Sequence, residues 1–209
     1  MKRWFMIAAL LLLPTQASAA SFTDTTHLAT ATQQEINEAV ALGFFKDGTT
    51  FNPGRTMTRG QVALTTARAI AGDQSPQAFV LAFGLEQQVT PFLDVPTSFK
   101  TGSESERELY YASLVVKDAG AFTQPALQAS KPITRGQLAK VLVRSFDLQR
   151  GTEKVVITDV TTAEERTYTE VLASLGITRP QGTLFKPAAH VTRAQMASFL
   201  VRTSTMLNK

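Results

Sequence analysis

The chain has 209 residues, 44% of them hydrophobic and 18% charged, which excludes a disordered or collagen-like protein and leaves length for one or two ordinary domains. It has no cysteine and only two histidines, His27 and His190, without metal-ligand spacing; disulfide frameworks, thiol nucleophiles, Cys-ligated zinc and most histidine chemistry are therefore out. The formal charge of +4 includes Lys2 and Arg3 at the N-terminus, and without them the balance is close to neutral, little support for nucleic-acid binding.

Lys2 and Arg3 precede an apolar run from Trp4 to Leu13, then Pro14 and the small residues Ala17-Ser18-Ala19-Ala20. A basic start, a short apolar centre and an Ala-x-Ala end predict a secretory signal peptide over residues 1–20, with cleavage after Ala19 or Ala20. The run is well short of the roughly 20 apolar residues that span a bilayer. The expectation is a secreted protein with no membrane insertion after cleavage.

Phe22-Thr23-Asp24 opens the next stretch, which reads as helical up to Ala39-Val40-Ala41-Leu42-Gly43. Glycine just past a helix end takes the left-handed conformation without steric cost. A loop, Gly48-Thr49-Thr50-Phe51-Asn52-Pro53, leads to Thr58-Arg59-Gly60-Gln61. Thr followed three residues later by Gln is a capping box, so this tetrapeptide starts a second helix. Residues 73–90 read as a connection with a short helix around Phe79 to Leu85.

The same order then recurs. Phe92-Leu93-Asp94 precedes a polar insertion, Thr101 to Glu108, a helical stretch ending at Gly120, and Thr134-Arg135-Gly136-Gln137. After a connection at 149–154 come Ile157-Thr158-Asp159, a stop at Gly176, the loop Gly182-Thr183-Leu184-Phe185-Lys186-Pro187 and Thr192-Arg193-Ala194-Gln195. An apolar residue precedes each tetrapeptide (Met57, Ile133, Val191) and another follows its glutamine (Val62, Leu138, Met196), at hydrophobic-staple spacing. A second arginine lies further along each helix: Arg68, Arg144 and Arg202. No alternating strand pattern of any length is present. Self-similarity of this kind is the mark of a repeat architecture, here over residues 21–72, 91–148 and 155–206.

These residues resemble the S-layer homology (SLH) domain family, three tandem copies after a signal peptide. The sharpest element is the Thr-Arg-Gly/Ala-Gln tetrapeptide in its apolar frame, supported by Phe-x-Asp and Gly-Thr-x-Phe-x-Pro. The resemblance implies an all-α fold, three helix–loop–helix repeats in a pseudo-threefold arrangement around a central helical bundle. It also implies non-covalent anchoring, at the cell wall or cell surface, to a secondary cell-wall polysaccharide whose terminal sugar carries a pyruvate ketal. The chain departs from the family pattern in three respects. Glutamine replaces the usual glutamate in all three tetrapeptides, no tryptophan follows the Asp-containing starts, and the second unit has Leu127-Gln128-Ala129 in place of the Gly-Thr-x-Phe-x-Pro loop.

The candidate ligand-binding residues are Arg59, Arg135 and Arg193, with Asp24, Asp94 and Asp159 and with Gln61, Gln137 and Gln195. A ketal carboxylate suits a bidentate guanidinium, and an arginine in the first turn of a helix stands at a positive dipole end. A structural reading stands beside each. The arginines also suit a surface or cap-adjacent place, the aspartates also suit capping or loop-holding, and Arg68, Arg144 and Arg202 suit pairing near helix ends. Phe51 and Phe185 read as loop anchors on the core. Neither metal nor cofactor is expected. Glu164-Glu165 and Glu104, Glu106 and Glu108 are paired carboxylates by type, but they sit on polar stretches outside the repeat, and no phosphate loop, HExxH or nucleophile elbow occurs. The expectation is a binding protein, not an enzyme. With no catalytic or structural domain following the repeats, the alternative is an adaptor or inhibitor that uses the same scaffold to hold a protein partner.

Overall fold

In the computed structural model residues 22–180 and 182–208 are described, and the predicted signal peptide lies outside them. Eight α-helices and one 3-10 turn account for the regular structure of these residues: α1 Thr30–Ala41, α2 Arg59–Ala71, α3 Pro76–Phe83, α4 Leu85–Gln88, a 3-10 turn Thr97–Thr101, α5 Glu104–Asp118, α6 Arg135–Ser145, α7 Ala163–Ser174 and α8 Arg193–Leu207. β-Pairing among the described residues is limited to isolated single-residue bridges. The protein is all-α.

Each tetrapeptide starts its helix as its chemistry predicts. The hydroxyls of Thr58, Thr134 and Thr192 accept from the amides of Gln61, Gln137 and Gln195, and each glutamine Oε1 accepts from its threonine amide. A fourth capping box, Ser103 with Glu106, opens α5 inside the polar insertion. The glycine stops hold the expected left-handed backbone, with φ of 73°, 72° and 68° at Gly43, Gly120 and Gly176. The 73–90 connection is more than a tether. It contributes α3 and α4, broken at Gly84, and buries Phe79, Val80 and Leu85 in the core.

The helices pair between units, not within them. α2 packs on α5, α6 on α7, and α8 returns to pack on α1, so the second helix of each unit lies against the first helix of the next. α2 also touches α6 and α8 at the centre. Where these three helices begin, their leading apolar residues are linked in a closed ring of backbone hydrogen bonds: Met57 N–H to Val191 O (2.8 Å), Val191 N–H to Ile133 O (3.1 Å) and Ile133 N–H to Met57 O (3.1 Å). All three side chains are buried, so these backbone groups, which water does not reach, satisfy one another.

Candidate functional site

The three aspartates that open the units act on the loops. Asp24 accepts from the amides of Phe51 (2.8 Å) and Asn52 (2.7 Å), one per carboxylate oxygen. Asp159 does the same with Phe185 (2.9 Å) and Lys186 (2.6 Å). Asp94 holds Leu127 (2.7 Å) and Gln128 (2.6 Å), so the second unit, despite its different letters, builds the same clamp. In each loop the first residue of the pair is buried against the core, and the second takes a positive φ of 56°, 56° or 59° at Asn52, Gln128 and Lys186. Amide donation holds the Asp24 carboxyl below the usual carboxylate range, with Phe51 the largest contributor. At Asp159 burial pushes upward, yet the amides of Phe185 and Lys186 outweigh it and the net shift is down.

Onto each clamped loop comes the helix of the preceding unit in the cycle. Backbone amides of the first turns donate across the seam: Arg59 and Gly60 to Lys131 and Ala129, Arg135 and Gly136 to Ala189 and Pro187, Arg193 and Ala194 to Arg55 and Pro53. These otherwise orphaned helix N–H groups are thereby satisfied by the neighbouring loop.

The arginine side chains follow the same seam, but not identically. Arg59 donates its Nε to Leu127 O and an Nη to Gln124 Oε1 (3.3 Å), with its Cζ over the Phe122 ring at 4.8 Å. Arg135 donates Nε to Phe185 O (2.8 Å) and an Nη to Thr178 Oγ1 (3.3 Å), with its Cζ 4.8 Å from the Phe185 ring and 5.5 Å from the Phe199 ring. Arg193 sits over the touching rings of Phe45 and Phe51, its Cζ 4.7 Å from each centroid, and its buried Nε has no hydrogen-bond partner among the described residues. Burial is the main cause lowering the pKa of all three, although a guanidinium stays charged throughout the physiological range.

Gln61, Gln137 and Gln195 use their side-chain carbonyls in the capping boxes, and the three aspartates use both oxygens on amides. Of the predicted site residues, the arginines alone reach across a seam with their side chains. Sequence reasoning named Phe51 and Phe185 only as loop anchors and missed the other partners of the arginines. The signal was present in the pairs after the glycine stops, Phe44-Phe45, Ala121-Phe122 and Ile177-Thr178, which contribute Phe45, Phe122 and Thr178.

Arg68, Arg144 and Arg202 tie the packed helix pairs together. Arg68 meets Glu108 (3.4 Å) and Phe44 O, Arg144 meets the Tyr168 hydroxyl (3.0 Å) and Glu164, and Arg202 meets both oxygens of Glu35 (2.8 and 3.2 Å). The carboxylates singled out by type are engaged too: Glu104 and Glu108 with Lys46, Glu106 in its cap, and Glu164 with Lys140 at 2.6 Å. A cleft of about 170 Å³ opens beside Arg59, lined by Phe122, Gln137, Lys140, Glu164 and Tyr168 among others. Among the described residues no group of three or more metal-ligating side chains gathers, and no helix is long and apolar enough to cross a membrane.

The family model for the S-layer homology domain matches residues 21–63 and 157–197 of this chain. Those segments span the clamp and the start of the second helix in the first and third units. A comparison with curated proteins gives no match.

Proposed function

We propose that the chain is an exported anchoring protein of three S-layer-homology-type units, 21–72, 91–148 and 155–206, set around a pseudo-threefold axis after a signal peptide at 1–20. S-layer homology domains anchor proteins to cell-wall polysaccharides, which associates the chain with the cell surface. The observation that carries the threefold reading is the second unit. It lies outside the matched segments, yet it forms the same Asp clamp, the same capping box and the same seam contacts as the other two.

The ligand in this reading is a secondary cell-wall polysaccharide bearing a pyruvate ketal. Arginines at helix starts supply the carboxylate contact. The aspartates and glutamines serve by holding the loops and helix ends that position those arginines. Binding to purified cell walls, before and after acid stripping of their secondary polymers, tests the proposal. Retention on intact walls and loss on stripped ones is the expected result, and equal retention on both removes the polysaccharide. A protein partner is the second reading, favoured by Leu81 and Phe83, which are 57% and 48% exposed on the inserted helix α3. Under that reading, polar substitution at these two positions abolishes attachment and stripping the walls does not.

A further inference from the structure

The 73–90 insertion gives the α2–α5 pair a neighbour that the α6–α7 pair lacks. α3 lies against α5 and touches α2, whereas the connection between α6 and α7 contains no helix. Where α3 starts, a cleft of about 270 Å³ opens between these three helices, lined by Leu64, Arg68, Pro76, Gln77, Arg107 and Tyr111 among others. Arg68 stands nine residues beyond Arg59 on α2, about 13 Å along the helix axis, so the cleft is well away from the seams at the helix starts.

The charged lining of this cleft balances, Arg68 and Arg107 against Glu104 and Glu108, and its polar groups are only partly engaged. Lys46 and Arg68 meet Glu108 through Oε1, and Lys46 meets Glu104 through Oε1, which leaves Oε2 of each without a partner among the described residues. The Arg107 side chain forms no ion pair among the described residues and makes one 3.5 Å hydrogen bond, to the Gly102 carbonyl. The side-chain amide of Gln77 has no partner among them either. Ser75 Oγ accepts from the Ala78 amide and keeps its own proton to donate. Leu64, Pro76 and Tyr111 make up the apolar share of the lining.

These groups select by exclusion. A bound anion meets the two carboxylates and a bound cation the two guanidiniums, each at a like-charge cost. A wholly apolar ligand strips water from the polar groups without replacing its hydrogen bonds. Hydroxyls donate and accept at once, so an uncharged, hydroxyl-rich ring with C–H faces satisfies both kinds of lining. The volume lies below the roughly 300–1,000 Å³ of pockets for drug-sized ligands, which suits one sugar residue better than a longer segment. We infer that the cleft is a second carbohydrate subsite, which holds an uncharged sugar residue against Gln77, Arg107 and Glu108. The inference rests on the polysaccharide reading for the source of the sugar, but it needs neither the ketal nor the tetrapeptide arginines.

The test titrates unpyruvylated and pyruvylated oligosaccharides from purified cell walls into the isotopically labelled chain, with the side-chain N–H resonances of Gln77 and the arginines as reporters. The unpyruvylated fragment is expected to shift Gln77 and Arg107 and to leave Arg59, Arg135 and Arg193 in place. Its affinity is expected not to change with added salt, since the ligand carries no charge. Replacing the two exposed side chains together, Gln77→Ala with Arg107→Ala, is expected to weaken that binding about tenfold or more. Arg150→Ala, whose side chain pairs with Glu170 outside the cleft lining, serves as the unaffected control. A double variant that binds as tightly as the parent, a steep salt dependence, or shifts confined to the seam arginines overturns the inference. The pyruvylated fragment reads the polysaccharide proposal separately. Seam shifts with a silent cleft remove the subsite alone, cleft shifts with silent seams remove the ketal contact alone, and silence at both removes the two together. An N-acetylated, C-amidated tripeptide is the last probe: if it shifts Gln77 and Arg107 and the sugars do not, the cleft belongs to a protein partner and the sugar is overturned.

Discussion

Asp24, Asp94 and Asp159 each hold a loop whose clamped residue has a left-handed backbone without being glycine, a conformation that costs an L-residue roughly 1–2 kcal/mol. The clamp offsets that cost with two charge-assisted hydrogen bonds per carboxylate. Two predictions belong at this scale. Because the folded pKa of Asp24 and Asp159 is depressed, their contribution is fully present above the ordinary aspartate value near 3.9 and is lost as pH falls through the lowered one. Thermal melts are expected to be insensitive to acid down to about pH 5 and to drop below pH 4, and Asp159→Asn is expected to flatten that drop. A drop of equal depth in the variant would falsify the clamp as its source. At Gln128 the side chain is exposed and the φ is 56°, so Gln128→Gly relieves strain and is expected to stabilise by up to about 1 kcal/mol, whereas Gln128→Val, β-branched, is expected to destabilise. Denaturant midpoints of the two variants read this directly, and a lower midpoint for the glycine variant contradicts it.

Helix starts were the most legible elements, because a capping box lies within four residues and needs no tertiary context. All three tetrapeptides opened helices as their sequence predicts, and the same logic applied to Ser103 and Glu106 finds the start of α5, which the polar composition of that insertion obscured. Thr134→Ala removes one capping hydroxyl, and the expected loss is about 1 kcal/mol in equilibrium unfolding; no measurable change means that the seam bonds hold the helix start without the cap. The loop of the second unit was not legible, since Leu127 and Gln128 preserve the backbone path and the buried position but not the letters of the motif. The aspartates stayed open between loop-holding and ligand contact for a related reason: each reaches amides far along the chain, and a carboxylate suits a sugar hydroxyl just as well. Close approach at the seams gives a further contrast between elements. A Cβ at Gly60 meets the Ala129 backbone oxygen and Cβ at 3.0 Å, while one at Gly136 meets the movable Glu165 side chain at 3.2 Å and fixed Pro187 atoms only at 3.3 and 3.4 Å. Gly60→Ala is therefore expected to lower the melting temperature more than Gly136→Ala, by an overpacking cost of about 1–3 kcal/mol.

At the scale of the molecule the repeat seen in the sequence and the packed pair seen in the structure are offset by one helix. Each sequence unit supplies the second helix of one pair and the first helix of the next, so no unit buries its own apolar faces, and the cycle closes only when α8 returns to α1. This arrangement was not readable from the sequence, because every contact that defines it is long-range: Arg202 reaches Glu35 and Met57 bonds Val191. The consequence is that cyclic order matters and the point of chain entry does not. Deleting residues 155–208 strips α6 of α7 and α1 of α8 together, and the remainder is expected to lose cooperative unfolding and near-UV dichroism. A circular permutant instead keeps every packed pair, provided that it is opened within 149–154 and that a flexible Gly/Ser linker joins Asn208 to Phe22. The opening loses only local contacts such as Arg150 with Glu170 and the Gly151 amide with Ser174. Exposed ion pairs contribute about 0–1 kcal/mol, so the permutant is expected to unfold in a single transition within several degrees of the parent. Calorimetry on both proteins separates the outcomes: a deletion product that melts cooperatively near the parent temperature, or a permutant that fails to fold, contradicts a core shared around the ring.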